Sequence, residues 1–180
     1  MMTPLDAHVL DSKSQLLAHV DPAGRNAMLL GTDEPAPDTF CAFTVTTPHG
    51  PRVVGVLSAF QGYEPAAVQT TDGRRVLVGH GATVHAIDVA AMRASATLEL
   101  PGAFYEFLPI GEGDDALVVH EFGVTRIDAD GRVAWEMRTE STLRGALLTD
   151  DGELTVRTKG DPDPLVVTLG NGLVKRVDEV

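Results

Sequence analysis

GVTRIDADGRVAW, residues 123–135, is an apolar run closed by Asp128, a turn through Asp130 and Gly131, and a second apolar run carrying Trp135. Forty residues upstream the chain reads ATVHAIDVAAMRASA, with the same apolar run closed by Asp88. Set over each other without a gap, 71–88 and 111–128 agree at Gly73/Gly113, Leu77/Leu117, Val78/Val118, His80/His120, Val84/Val124, Ile87/Ile127 and Asp88/Asp128. A third, looser copy runs through TDDGELTVRTKG (149–160) and LVVTLGNGLVKRV (165–177), and a fourth is CAFTVTTPHGPRVVGVLSA (41–59). A unit near forty residues lies in the range of propeller blades.

Each unit divides alike. AAVQ, RRVLVG, TVHAI and ATLEL are β-favouring runs in one copy, and YEFLPI, ALVVHE, VTRI and VAWEM are their counterparts in the next. The segments between them, TTDG, GEGDD and DADG, are turn chemistry: Gly supplies positive φ, and Asp bonds its own following backbone. Four strands and tight turns per unit make an antiparallel meander. Runs such as LVV do not alternate, as expected of strands covered on both faces. Residues 89–98 have helical propensity, but the repeat assigns them to a turn and a strand, since tertiary context overrides propensity. The expected fold class is therefore all-β: meander repeats forming a small propeller of about four blades, or an open curved half-propeller. The expected domain is single, spanning 1–180 with an N-terminal extension over 1–15. Leu77, Val78, Leu117, Val118, Val124, Ile127 and Trp135 are expected in the core, with Phe104 and Phe107 sealing it between blades.

VTRIDADGRVAWEMRT resembles the blade signature of quinoprotein-like (PQQ-like, WD-like) β-propellers, in which an apolar strand ends in Asp, turns through Gly and returns with Trp. VHAIDVAAMRASATLEL fits more loosely, with Met92 near the place of the Gly, and LLAHVDPAGRNAMLL (16–30) repeats the theme. The resemblance is at blade level and implies a fold. One Trp and room for about four blades argue against a bound quinone, so no cofactor is expected. Four blades are few for a closed ring. SQLLAHV (14–20) is the candidate strand to complete the last blade, and an unpaired sheet edge would otherwise invite a homodimer.

Alternating turns sort side chains to two ends. The first and third turns collect Asp72, Glu112, Asp114, Asp115, Asp130, Asp150 and Asp151, joined by Asp88 and Asp128. The second turns and the links between units collect Tyr63, His80, Tyr105, His120 and Arg144. Tyr and Arg are frequent at interface hot spots, so the second end is the candidate partner-binding surface and the first an acidic face. The formal charge of −12, from 14 basic and 26 acidic residues, repels nucleic acid and anionic membranes and attracts basic proteins.

Several chemistries find no support. His80 and His120 share a repeat position, but Arg157 and Thr158 stand there in the third copy, so no zinc ligand set forms and no metal is expected. DADG has Arg126 at the first ligand position of a calcium loop and its Glu one residue short, at Glu136. Cys41 lies in an apolar run and reads as a buried thiol. No nucleophile elbow, phosphate loop or dinucleotide fingerprint occurs. A single cysteine excludes an intrachain disulfide. No apolar run approaches the roughly 18–20 residues that span a bilayer, and the start of the chain shows no secretory pattern. A cytoplasmic location is expected. The function expected is a non-catalytic module that binds a protein through one end of its blades, in its specific form neutralising a basic toxin as an immunity protein does. The alternative is a small hydrolase or lyase with its site in the central channel.

Overall fold

The protein is described by a computed structural model covering residues 2–111, 113–149, 152–161 and 163–176. The chain begins β1 (Thr3–Leu5), β2 (Ala7–Leu10), α1 (Lys13–Val20), β3 (Ala27–Leu30), β4 (Thr39–Val45) and β5 (Arg52–Ser58). Then come three meanders: β6 (Ala66–Gln69), β7 (Arg75–His80), β8 (Thr83–Asp88) and β9 (Arg93–Glu99); β10 (Phe104–Ile110), β11 (Asp115–His120), β12 (Gly123–Ile127) and β13 (Val133–Arg138); β14 (Leu143–Leu148), β15 (Leu154–Thr158), β16 (Leu165–Val167) and β17 (Val174–Arg176). The forty-residue offset survives at five pairs of the central hairpins, from Val76/Ala116 to His80/His120. Val76 pairs with Ile87 and His80 with Thr83 in one; Ala116 pairs with Ile127 and His120 with Gly123 in the other.

Four sheets stack as an open, propeller-like array. Leu30, Phe43, Val54 and Val56 of the first sheet pack against Val76, Val78 and Ile87 of the second. The other face of the second sheet sends Val68, Leu77 and Val84 against Phe104, Phe107, Ala116 and Val118 of the third. Leu117, Val119 and Val124 then meet Leu143, Leu154, Val156 and Val167 of the fourth. The strands β7 and β11 are thus apolar at consecutive positions because both of their faces are covered. Leu77, Val78, Leu117, Val118, Val124 and Ile127 are all buried, as are Phe104 and Phe107. Trp135 differs, being half-buried. Its indole N–H donates to the Leu169 carbonyl at 2.8 Å, which holds the ring at the seam of the third and fourth sheets rather than inside it.

The N-terminal third departs from the repeat. Residues 14–20 are not a strand: they lie within α1, whose Ser12 hydroxyl accepts from the Gln15 amide while the Gln15 side chain accepts from the Asp11 amide. That is a capping arrangement, and Leu16 and Val20, one turn apart, bury against Ala42 and Leu57 of the first sheet. The stretch 16–30 is accordingly no blade but a helix, a 3-10 segment (Asp21–Asn26) and β3. The first sheet, in the order β2-β4-β5-β3, is not a meander, since β3 runs parallel to β5. The only N-terminal strand that joins a repeat among the described residues is β1, and it pairs with β6 of the second sheet, not with the last blade. No described helix is long and apolar enough to cross a membrane.

Leu117→Ala removes a fully buried side chain from the seam of the third and fourth sheets. It is expected to cost about 2–5 kcal/mol, read as a lowered urea midpoint with an unchanged slope; an unchanged midpoint would contradict the packing.

Candidate functional site

The Asp residues that close the third strand of each blade build its last turn. Asp88 accepts from the Ala91 amide at 3.0 Å, and Asp128 from the amides of Asp130 and Arg132 at 2.9 Å each. The turn then needs a positive φ. Gly131 supplies it at 78°, and Met92, its counterpart, accepts it at 48° while its side chain packs in the core. Asp72 does similar work in a first turn, accepting from the Arg74 amide and the Thr70 hydroxyl. These bonds, the backbone amide first, hold the Asp72 and Asp88 carboxyls below the usual carboxylate range.

The turns share one end. Asp72, Asp114, Asp115, Asp128 and Asp130 line a hollow of 360 Å³ with Arg74 and Arg75. Several of these carboxylates are engaged inside the molecule. Arg75 reaches Asp88 of its own sheet at 2.8 Å and Asp130 of the next at 3.1 Å. Asp114 accepts from the amide and hydroxyl of Thr71, both at 2.8 Å, which ties the same two sheets. Arg126 holds Asp115 at 2.6 Å and donates to Leu169 of the fourth sheet at 2.8 Å. Glu112, Asp150 and Asp151, the other members of the acidic set, lie outside the described residues.

At the opposite end the pairing is irregular at two positions, one half-buried against the core of the third and fourth sheets and one exposed. Phe104 pairs with His120 and Glu106 with Val119, so Tyr105 is the extra residue of a bulge. Leu143 pairs with Thr158 and Gly145 with Arg157, so Arg144 is the bulge residue of the next blade. A bulge turns its extra residue out of the ladder. Tyr105 stacks on Tyr63 with ring centroids 3.7 Å apart and planes 20° apart. Tyr63 is 42% exposed and Phe60, in the same link, 56%. Desolvation, with help from Tyr63 and Glu121, pushes the Tyr105 phenol up to about 12, so it stays a neutral donor. Arg144 is exposed.

The two histidines of the repeat sit deeper. His120 is fully buried, with its Nε2 3.2 Å from the Thr125 hydroxyl and its Nδ1 without a hydrogen-bond partner among the described residues, so its ring presents no surface in this conformation. His80 is buried too, and its Nε2 lies 3.2 Å from Nε2 of His85. Thr125 and His85 stand forty residues apart, so one diagonal contact recurs with different chemistry. His85 escaped notice because its counterpart is not a histidine. Burial lowers both repeat histidines to about 4. Cys41 is buried and its thiol is raised to about 12, mainly by desolvation, which leaves it unreactive. Among the described residues no group of three or more His, Cys, Asp or Glu is placed to hold a metal ion.

No family model and no curated protein matches the sequence. Solved structures do. The β-propeller domain of Cps50 (Swd1) from Myceliophteria thermophila aligns with a TM-score of 0.52 and 13% identity over 77% of this chain and 52% of its own. BamB from Moraxella catarrhalis aligns with 0.52 and 13% over 97% and 51%, and virginiamycin B lyase from Staphylococcus aureus with 0.50 and 12% over 96% and 59%. The likeness is one of fold, at the level of blades, and the chain spans little more than half the length of these structures.

Two outcomes follow from the buried imidazoles and the partly exposed Arg75 ion pairs. Unfolded histidine takes up a proton near pH 6.5, whereas native His80 and His120 resist until about 4. The unfolded chain therefore binds more protons in that window, and stability falls as pH falls from 6.5 toward 4. Urea midpoints between pH 7.5 and 5 are expected to drop in the native protein and to drop less when both histidines are replaced by Gln. Arg75→Met is expected to cost about 1 kcal/mol at pH 7. Because the Asp88 carboxyl is depressed, its contribution is present at neutral pH and lost as acid protonates it. The deficit of the variant should shrink as pH is lowered through the carboxylate range.

Proposed function

We propose that the protein is a non-catalytic binding module whose partner is another protein, docked on the end that carries Phe60, Tyr63, Tyr105 and Arg144. The stack of exposed Tyr63 on half-buried Tyr105, which is itself anchored on the core of the third and fourth sheets, carries this reading. Two stacked phenols offer a large, rigid and amphipathic surface at little cost in side-chain entropy, and the adjacent bulge adds a guanidinium, the residue types most frequent at hot spots. The first three sheets pack on both sides into a firm base beneath them, so the surface is preorganised.

The partner in this reading is basic, and the specific form of the role is neutralisation of a basic toxin in the cytoplasm. The net charge of −12 supports it, through long-range attraction that accelerates encounter and weakens with salt. The acidic end takes part by steering. Its Arg-bound carboxylates keep the turns in place, and its remaining charge sets the field. Association of two copies through the fourth sheet belongs to the same proposal: Leu147 on β14 is 64% exposed and Leu173 62%, and such apolar surface favours burial.

The test begins with capture of the partner from native extract by the tagged full chain. Tyr63→Ala and Arg144→Ala are each expected to weaken the captured complex at least tenfold, chiefly through faster dissociation, with unchanged circular dichroism. Asp72→Asn with Asp114→Asn keeps the turn hydrogen-bond acceptors and is expected to slow association and flatten its salt dependence. Binding that ignores all four changes would overturn the assignment of both ends.

A further inference from the structure

His80 and His85 sit on the paired strands β7 and β8, diagonal to each other: His80 pairs with Thr83 and His85 with Val78. Their Nε2 atoms are 3.2 Å apart, their ring centroids 5.2 Å, and their planes 19° apart. Two imidazoles that close cannot both carry a proton between them. On the far side of His85, Nδ1 lies 3.0 Å from the Thr97 hydroxyl. When that nitrogen donates to Thr97, His85 Nε2 is left as the acceptor nitrogen, 3.2 Å from His80 Nε2 and 3.4 Å from the Thr83 hydroxyl. An outer hydrogen bond of this kind fixes the tautomer and ring plane of a metal-ligating histidine. Burial favours the neutral form of both rings, and neutral imidazole is the form that ligates.

The spacing fits an ion. Zinc takes imidazole nitrogen at about 2.0–2.1 Å. An ion at that distance from both nitrogens would see them at an angle of about 100°, close to tetrahedral. Both rings line a hollow of 490 Å³ whose wall also carries Asp33, Glu34 and Glu99. The charge of Asp33 acts on both rings and that of Glu99 on His85, each favouring positive charge there. No third side chain is already in ligating position among the described residues, so a bound ion would need water and a rotated carboxylate to complete its coordination.

A comparison within the chain separates this pair from a mere tether of the hairpin. Forty residues on, the same diagonal is held by His120 and Thr125 at the same 3.2 Å. A threonine therefore suffices to bind the strand end in place. At the second blade the tether is a second imidazole, and it opens on a hollow lined with carboxylates, whereas His120 is sealed.

We propose that His80 and His85 form a binding site for a borderline divalent transition-metal ion, Zn²⁺ in the first instance, with Asp33 or Glu99 supplying a carboxylate oxygen. Soft and borderline ions prefer imidazole, while Mg²⁺ and Ca²⁺ prefer all-oxygen sites, so those two should not compete. The proposal uses none of Tyr63, Tyr105 and Arg144, so its test stands apart from that of the docking surface.

Titration of the full chain, stripped with chelator, with ZnCl₂ in a calorimeter is expected to show one ion per chain at micromolar affinity, unaffected by excess MgCl₂. His85→Thr recreates the pair of the neighbouring blade. It is expected to fold, with a circular dichroism spectrum like the native one, and to bind Zn²⁺ at least tenfold more weakly. Should that variant fail to fold, imidazole nitrogen shifts in the native protein decide the matter: on adding Zn²⁺, the Nε2 signals of His80 and His85 move and those of His120 do not. The proposal is overturned if Zn²⁺ does not bind below about 100 µM, well above the expected micromolar range. It is equally overturned if His85→Thr leaves binding intact, or if the shifts fall instead on His8 and His19, whose rings stack with centroids 5.0 Å apart.

Discussion

The burial of both faces of a strand is the constraint on which the rest of this structure depends. On β7, Val76 and Val78 turn to the first sheet while Leu77, between them, turns to the third. On β11, Ala116 and Val118 look back and Leu117 and Val119 look forward. A strand apolar at every position has no solvated face to offer, so it is stable only between two other sheets. The stacking order follows from that. So does the absence of side chain at Gly79, where an added Cβ would come within 2.3 Å of the Phe104 ring of the next sheet.

The chain ends this stack differently at its two sides. On the first sheet α1 lays Leu16 and Val20 over Ala42 and Leu57. On the fourth, the described residues leave Leu147 exposed. Between the sheets the acidic turns act as clamps as well as a charged surface. Arg75 bridges Asp88 and Asp130, and the carbonyl of Leu169 receives both Arg126 and Trp135. One guanidinium or one carbonyl thus joins neighbouring blades where their apolar contact stops. At the opposite end backbone bonds join the sheets instead: the Phe104 amide donates to the Gly81 carbonyl and the Leu143 amide to the Glu121 carbonyl, each at 2.7 Å.

The histidines show how a repeat can hold two chemistries. The diagonal from the strand end to its neighbour is a fixed geometric feature of the hairpin, because the register is identical in the two blades. What occupies it is free to vary. Thr125 makes it a hydroxyl–imidazole contact, and His85 makes it a pair of imidazole nitrogens 3.2 Å apart that line a hollow.

The sequence by itself determined the blades. An offset of forty, Asp at the strand end and uninterrupted apolar runs are local patterns, and the strands of the second and third sheets follow from them, whereas the first sheet, with α1 and the parallel β3, does not. The place of Cys41, Phe104 and Phe107 in the core was legible for the same reason. The capping residues Ser12 and Gln15 were also present to be read, yet the repeat masked them, and residues 14–20 became a helix because Leu16 and Val20 had a sheet face to cover. Only the tertiary structure decided that Tyr105 and Arg144 lie on bulges, that Tyr63 stacks on Tyr105, and that His80 meets His85 rather than His120. Those contacts depend on distances across strands and links. A one-dimensional pattern carries the spacing of residues along the chain, but it carries no measure of which way an unpaired residue turns.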